Sequence, residues 1–272
     1  MTVDAQLRTL DIDIPSQPDV LVKLSLLLAE DEVDQRAVAA LVQSDMALAS
    51  AVLRAVNSSL YGLSGRVQSV QQAITYLGTR EVAGITFEMG LRAAFAPAPE
   101  LAPIWARAAA RSLLMSRLAQ ALGLDAWAAH SAGLFEECGK AVLFRHASDH
   151  YRAMLRAAPS DADLCQLEQA GFGVSHDALG AALCESWGLG RVAVACVRQH
   201  VVAQGLNALA VPAPQRAVLA LSVIASALLL RPETVDTVVE QIAPQADLDL
   251  ALALRAVRRL AEQRAEALEN GR

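Results

Sequence analysis

The chain has 272 residues, of which 54% are apolar and only 4% aromatic, and its formal net charge is −6. The acidic balance disfavours binding to nucleic-acid phosphates and to anionic membrane surfaces, because like charges repel. Alanine and leucine are abundant, and both favour helices, whereas the aromatic residues that favour strands are rare. The composition therefore predicts an all-α protein.

Apolar residues recur at helical spacing through the N-terminal part of the chain and predict a set of short helices. Ser44 and Asp45 precede the third apolar stripe and are candidates for its N-cap. The predicted helices lie at about 20–28, 38–42, 48–56, 70–77 and 81–95.

The segment Ala96-Pro97-Ala98-Pro99 is the clearest break in the helical pattern. Proline lacks an N–H donor and restricts the residue before it, so the segment cannot lie inside a helix. We therefore predict an N-terminal helical subdomain over residues 1–96 and a second helical bundle that begins at residue 97. Beyond the break, helices are predicted at about 101–122, 126–134, 138–157, 161–170, 175–187, 190–203, 215–230 and 248–268.

The hydropathy pattern does not indicate export or a membrane span. Met1–Leu10 is polar and lacks the apolar core of a signal peptide. The apolar run Ala217–Leu230 would be about 21 Å long as a helix, shorter than the hydrocarbon core of a bilayer, and is interpreted as a buried core helix. The four cysteines form no CxxC pair, which is typical of free, buried thiols. We expect a soluble cytoplasmic protein that makes no membrane contact.

Three motifs occur in a distinctive order. Residues 57–62 read NSSLYG, residues 73–78 read AITYLG, and residues 133–140 read GLFEECGK. Together they resemble the HDOD family, bacterial regulatory domains related to the HD-type metal-dependent phosphohydrolases. The resemblance covers about residues 12–205.

This resemblance implies an irregular, HD-like multi-helix bundle of two packed helical subdomains. Residues 97–205 would form the HD-like subdomain, and residues 206–272 would form a helical C-terminal extension packed on it. The residues assigned to the inter-helix turn are Asn57, Ser58, Tyr61 and Gly62.

The metal-binding positions of the catalytic relatives are changed in this chain. The resemblance implies that those relatives hold a divalent metal with a His on the long helix and a His-Asp pair before the motif Gly-Lys. Here Arg107 stands at the first position, and Glu136 and Glu137 replace the pair. A guanidinium has no lone pair for a metal, and two carboxylates without imidazole attract Mg²⁺ or Mn²⁺ only weakly. The sequence therefore predicts a pseudoenzyme without a metal or cofactor.

Two interpretations of the substituted positions remain open. Arg107 could pair with Glu136 or Glu137 and fill the former metal position, because guanidinium and carboxylate are geometrically matched. Alternatively, Glu136 or Glu137 could point to solvent and Arg107 could pair with nothing, and divergence of all three side chains into solvent would exclude the ion pair. The remnant pocket is expected to comprise Arg107, Glu136, Glu137, Lys140, His176 and His200.

The histidines do not show the spacing of a metal site. His176 and Asp177 follow a glycine-containing turn, so Ser175 or Asp177 is expected to serve a helix N-terminus, and His176 to orient the turn or line the pocket. His200 corresponds to the first residue of a His-His pair that is common in relatives, but Val201 follows it. His130 shows no metal-ligand spacing either. His146 and His150 are predicted to share one helix face, a geometry that could bind a metal, but without a third ligand they are interpreted as surface residues.

By resemblance, the chain is expected to act in bacterial signal transduction through contact with other signalling proteins. It is not expected to bind nucleic acid. One alternative is a residual metal-dependent phosphohydrolase acting on a nucleotide or cyclic dinucleotide. Another is a sensor of a small anionic ligand, with Arg107 holding the anion in the remnant pocket.

Overall fold

The structure, a computed structural model, describes residues 12–28, 30, 32–58, 61, 63 and 65–270, and side chains as far as residue 266. Within these ranges every regular element is a helix and no strand is present, which confirms the all-α prediction. The described residues form two compact units, and each is described separately below. One unit contains residues 16–94 and 261–270, and the other contains residues 12–15 and 95–260.

The unit built from residues 16–94 is formed around the last of its five helices. The helices are α1 Asp19–Leu28, α2 Gln35–Gln43, α3 Met46–Val56, α4 Val70–Leu77 and α5 Thr79–Ala93. Helix α5 packs against each of the other four. The side chain of Asp45 accepts a hydrogen bond of 3.0 Å from the backbone N–H of Leu48, which confirms Asp45 as the cap of α3.

A buried carboxylate lies on α5. Glu88 is 5% exposed, and its Oε1 lies 3.2 Å from Nη1 of Arg92. Burial raises the pKa of Glu88 to about 7, although Arg92 acts to lower it. Ionisation of this group is therefore unfavourable in the fold.

The inter-helix turn motif is organised by Asn57. Its Nδ2 donates to the carbonyl oxygens of Leu53 at 2.9 Å and Val67 at 2.7 Å, and its Oδ1 accepts from the N–H of Val67 at 3.1 Å. The backbone N–H of Tyr61 donates to the carbonyl oxygen of Ser58. Of the predicted turn residues, Gly62 lies outside the described residues. Asn57 thus links the C-terminal end of α3 to Val67, ten positions further along the chain.

The larger unit contains the remaining helices. They are α6 Ala102–Ala121, α7 Ala126–Phe135, α8 Cys138–His146, α9 Ser148–Ala157, α10 Asp161–Phe172, α11 His176–Ser186, α12 Arg191–Leu206, α13 Ala213–Leu230, α14 Val235–Ile242 and α15 Leu250–Asn270, the last of which continues beyond residue 260. Residues 206–260 fall in the same unit as residues 95–205.

The prediction of a single helix over residues 138–157 is wrong, because this segment forms two helices. The chain leaves the helical conformation at Ala147, with φ −148° and ψ 65°, and this residue separates α8 from α9. His146 and His150 therefore do not share a helix face. His146 is half-buried, with its ring near that of Phe172, whereas His150 is exposed.

Helix α13 lies in the core of this unit and packs against α6, α7 and α12. By length and composition alone it could cross a membrane, but 61% of its 18 residues are buried inside the protein. This supports the interpretation of the apolar run as a core helix. Of the four free cysteines, Cys165 is half-buried and the others are buried.

Two motif glycines allow helices to approach closely. A Cβ atom added at Gly139 would lie 1.9 Å from the carbonyl oxygen of His176, and one at Gly133 would lie 3.0 Å from the backbone of Ser112. Neither position leaves room for a side chain. Gly139 thereby brings the start of α8 directly against the start of α11, next to the predicted site residues.

Candidate functional site

Arg107 on α6 makes a two-pronged contact with Glu137, at the junction of α7 and α8. Its Nε donates to Oε1 at 3.1 Å and its Nη2 donates to Oε2 at 2.6 Å. The guanidinium–carboxylate contact expected from the sequence is therefore present, and Glu137 is the partner. The Arg107 side chain is 37% exposed, whereas that of Glu137 is 2% exposed.

A second arginine joins this pair and was not predicted. Nη2 of Arg111 donates to Oε1 of Glu137 at 2.8 Å. Nε of Arg111 lies 3.1 Å from Oε2 of Glu136, an ion-pair contact without hydrogen-bond alignment. Arg111 is four residues beyond Arg107 on α6, so both project from one helix face. That spacing is the signal by which the sequence could have revealed it.

Lys140 extends the ion-pair network to α10. Its Nζ donates to Oε2 of Glu137 at 3.0 Å and to Oδ1 of Asp161 at 2.7 Å. Lys140 is buried, and the Asp161 side chain is 41% exposed. The buried network therefore reaches solvent at Asp161.

The charges in this network stabilise one another. Burial would raise the pKa of the Glu137 carboxyl, yet Lys140, Arg111 and Arg107 hold it well below its usual range. Burial also disfavours the ammonium of Lys140, but Glu137 and Asp161 raise its pKa above the usual value. These groups remain ionised together at neutral pH.

Glu136 points into the interior beside α12 and α13. Nε2 of Gln204 donates to Oε2 of Glu136 at 3.0 Å and also lies 3.0 Å from Oγ of Ser222. The thiol of Cys196 lies 3.8 Å from Oε1 of Glu136. Glu136 is 0% exposed, so its carboxylate is held by these partners and by Arg111.

The positions that hold a metal in the catalytic relatives do not fit one here. Glu137 accepts hydrogen bonds from three cationic side chains, and Arg111 lies against both glutamates. A metal ion at this place would have to displace guanidinium groups that offer no lone pair. The cations and the Glu137 carboxylate at these positions are instead paired with one another.

His176 begins α11 and is oriented by a carboxylate from α10. Oε2 of Glu168 lies 2.8 Å from Nδ1 of His176 and accepts from its backbone N–H at 2.7 Å. Ser175 precedes the helix, but its side chain makes no capping hydrogen bond and instead contacts Asp177. Of the two residues expected to serve this helix N-terminus, Ser175 is the N-cap residue without a side-chain cap bond, and the N–H of His176 is satisfied by Glu168 instead. Asp177 lies in the first turn and pairs with Arg198.

His200 on α12 lies beside His176, with ring centroids 5.7 Å apart. Its Nδ1 lies 2.7 Å from the carbonyl oxygen of Val197, which requires this nitrogen to donate. Burial lowers the pKa of His200, although Glu136 acts to raise it. The structure thus brings all six predicted pocket residues into one region of this unit, together with Arg111, Asp161, Glu168 and Gln204, which sequence reasoning missed.

Comparison with known proteins places this architecture in a family. The HDOD domain model matches residues 14–202. An uncharacterised protein of Treponema pallidum is 26% identical over 193 residues, or 69% of this chain. The chain spans only 37% of the length of that relative.

Two solved structures share the fold. A candidate phosphohydrolase from Shewanella amazonensis superposes with a TM-score of 0.69 at 18% identity, covering 92% of each chain. A candidate signal transduction protein from Marinobacter aquaeolei has a TM-score of 0.70 at 21% identity, covering 96% of this chain and 59% of that one. With the family match extending over most of its length, this chain belongs to the HDOD domain family.

Proposed function

We propose that this chain is a non-catalytic HDOD domain that acts in bacterial signal transduction by binding other proteins in the cytoplasm. The observation that carries the proposal is the ion-pair network of Arg107, Arg111, Glu137 and Lys140. It includes two of the positions, 107 and 137, at which the resemblance puts metal ligands in catalytic relatives. If no metal-activated water forms at these positions, the nucleophile of that hydrolytic mechanism is missing. The structural similarity to a candidate signal transduction protein supports the same assignment.

The catalytic part of the proposal is tested by direct assay. The purified chain is incubated with nucleotides and cyclic dinucleotides in the presence of Mn²⁺ or Mg²⁺, and product formation is followed by chromatography. We expect no product above the protein-free rate. Metal-dependent turnover that is lost in the Glu137→Gln variant would overturn the assignment.

The surface of α12 is a candidate for protein binding. Leu206 is 72% exposed and Val202, one turn earlier, is 47% exposed. Both border a cavity of about 350 Å³, which Cys165 and Asp177 also line. Exposed apolar residues beside a concavity are typical of binding surfaces.

The partner is sought by affinity capture from the native cell with wild-type protein and two variants. Leu206→Asp places a charge on this surface, and Leu230→Asp places one at another exposed leucine, 59% exposed on α13. We expect at least one protein to be captured by the wild type and by Leu230→Asp but not by Leu206→Asp. Equal capture by all three would exclude the α12 surface.

Binding of a small anion is a second candidate function, at a different place from the one expected from the sequence. Arg107 directs two nitrogens at Glu137 and is engaged there. A more open cavity of about 860 Å³ is lined by Arg191, Arg198 and Gln215 among others, a size suited to a nucleotide-like ligand. A thermal-shift screen with nucleotides and cyclic dinucleotides tests this, because a ligand of the folded state raises the melting temperature. Arg191→Gln is expected to abolish any such shift.

A further inference from the structure

Three potential metal ligands meet beside the ion-pair network. One donor atom from each of Asp161, His176 and His200 lies within 4.8 Å of the other two. The histidines are 0% and 1% exposed. The three residues come from α10, α11 and α12, so the fold itself brings them together.

Both imidazoles have one nitrogen occupied and one without a partner. Nδ1 of His176 faces the Glu168 carboxylate and Nδ1 of His200 faces a carbonyl oxygen, so each Nδ1 must donate. In the neutral ring, Nε2 then carries a lone pair. Nε2 of each ring is buried and has no hydrogen-bond partner among the described residues. Buried polar atoms in proteins usually have a hydrogen-bond partner, so two such nitrogens on neighbouring rings call for a ligand.

Glu168, itself held by Tyr151, fixes the orientation of the His176 ring. The hydroxyl of Tyr151 donates to Oε1 of Glu168 at 2.5 Å, and Glu168 in turn holds the ring and backbone N–H of His176. A carboxylate that fixes the tautomer of a histidine is the usual support behind a metal-bound imidazole. Tyr151 and Glu168 are both 0% exposed, so water does not compete for these hydrogen bonds.

The local charge also favours a cation. Arg107, Arg111 and Lys140 are matched by Glu136, Glu137 and Asp161. Glu168 is an additional buried carboxylate, and in the described part of the chain its ion pair is with His176 alone. A cation near His176 would offset this negative charge in a medium where charge interactions are strong.

We infer that Asp161, His176 and His200 bind one divalent first-row transition metal ion. Nε2 of each histidine would coordinate it together with Oδ2 of Asp161, because Oδ1 of Asp161 already accepts from Lys140. Imidazole with one carboxylate suits Zn²⁺, Mn²⁺ or Fe²⁺ better than Mg²⁺ or Ca²⁺, which prefer oxygen ligands. The half-exposed Asp161 provides the path from solvent. The proposed ligands do not include the motif positions 136 and 137, and the inference goes beyond the proposed function, which requires no metal.

A second donor group must be distinguished from this one. Cys165, Glu168 and His176 also bring donor atoms within 4.8 Å of one another. That arrangement would use Nδ1 of His176, which lies 3.7 Å from Sγ of Cys165 but is already engaged by Glu168 at 2.8 Å. The first group needs no rearrangement of that contact and is therefore preferred.

Metal binding is tested on the full chain after removal of bound metals with a chelator. Equilibrium dialysis against Zn²⁺ gives the stoichiometry, and Co²⁺ gives a visible absorption spectrum that reports the ligand types. The same measurements are made on Asp161→Asn, His200→Gln, Cys165→Ser and, as a matched histidine control, the exposed His150→Gln. Circular dichroism verifies that each variant is folded.

We expect one Zn²⁺ per chain, a rise in melting temperature on adding Zn²⁺, and a Co²⁺ spectrum without a thiolate charge-transfer band. Affinity should fall by about tenfold or more in Asp161→Asn and His200→Gln, and remain unchanged in Cys165→Ser and His150→Gln. Absence of stoichiometric binding, or binding that survives in both Asp161→Asn and His200→Gln, would overturn the inference. Loss of binding in Cys165→Ser with a thiolate band would assign the metal to the other group and equally overturn it. A negative result in these binding measurements says nothing about hydrolysis. The proposed function is therefore judged separately by its activity assay.

Discussion

Replacement of Glu137 by Gln tests whether the ion-pair network holds the larger unit together. The carboxylate accepts hydrogen bonds from Arg107 at 3.1 and 2.6 Å, from Arg111 at 2.8 Å and from Lys140 at 3.0 Å. The side chains of Arg111 and Lys140 are 4% and 3% exposed and cannot recover full hydration. Breaking a buried ion pair by removing one partner costs about 3–5 kcal/mol. Because Gln keeps one acceptor oxygen, we expect Glu137→Gln to lower the free energy of unfolding by about 4 kcal/mol.

Urea denaturation followed by circular dichroism measures this loss, with linear extrapolation to water. As a control, Asp236→Asn removes the exposed ion pair of Asp236 with Arg258 and should cost less than about 1 kcal/mol. The double variant with Arg111→Met should lose less than the sum of the two single variants, by about 1–3 kcal/mol. Additive losses, or a loss for Glu137→Gln no greater than the control, would refute the role assigned to the network.

The pH dependence gives the same prediction a second readout. The pKa of Glu137 is held below its usual value of 4.5, so its contribution to stability is present above that pH and is lost as the pH falls through the folded pKa. Below pH 4.5, the wild type should therefore lose stability more steeply than Glu137→Gln. Parallel curves would contradict the charge pairing seen in the structure.

Three further predictions concern single positions. Gly139→Ala places a Cβ 1.9 Å from the carbonyl oxygen of His176 and should cost about 3 kcal/mol or more in urea denaturation, because α8 and α11 must separate. Gly205→Ala, where nothing lies within 4 Å of the added Cβ, should be neutral or slightly stabilising. Burial raises the pKa of Glu88 from 4.5 to about 7. The free energy of unfolding should therefore decrease as the pH rises through this range, because the folded protein holds the proton of Glu88 more tightly than the unfolded chain does. Glu88→Gln should abolish that loss, which is at most about 3 kcal/mol, in melting curves recorded between these pH values. Asn57→Ala removes three hydrogen bonds from a partly buried turn and should lower the free energy of unfolding by about 2 kcal/mol.

Local sequence patterns predicted the helices well where a cap or a break is encoded in neighbouring residues. Asp45 begins α3 as expected, and the prolines at 97 and 99 fall just after the end of α5 at Ala93. The break at Ala147 has no such signal, because alanine is a strong helix former and tertiary packing sets its conformation. Helix α14, between two prolines, was also missed.

The candidate site was predictable only in part, for a similar reason. The pairing of Arg107 with a glutamate followed from residue types at motif positions, and Arg111 could have been found from its helical spacing. Asp161 and Glu168 carry no such signal, since they lie on α10, outside the motifs, and reach the site only through the packing of that helix. Long-range placement of single polar residues is a property of the fold rather than of a local pattern.

The six predicted pocket residues fall into two groups that differ in how their polar atoms are satisfied. Around Arg107 and Glu137 every charge has a partner, so that region is complete without an ion. Around His176 and His200, two buried nitrogens have no hydrogen-bond partner among the described residues, and leaving such a group unsatisfied costs about 1–3 kcal/mol each. A metal ion bound as inferred above would remove this cost, and so would replacement of both imidazoles by apolar side chains of similar shape. The two cases differ in the metal titration, because Zn²⁺ should raise the melting temperature of the wild type but not that of His200→Gln.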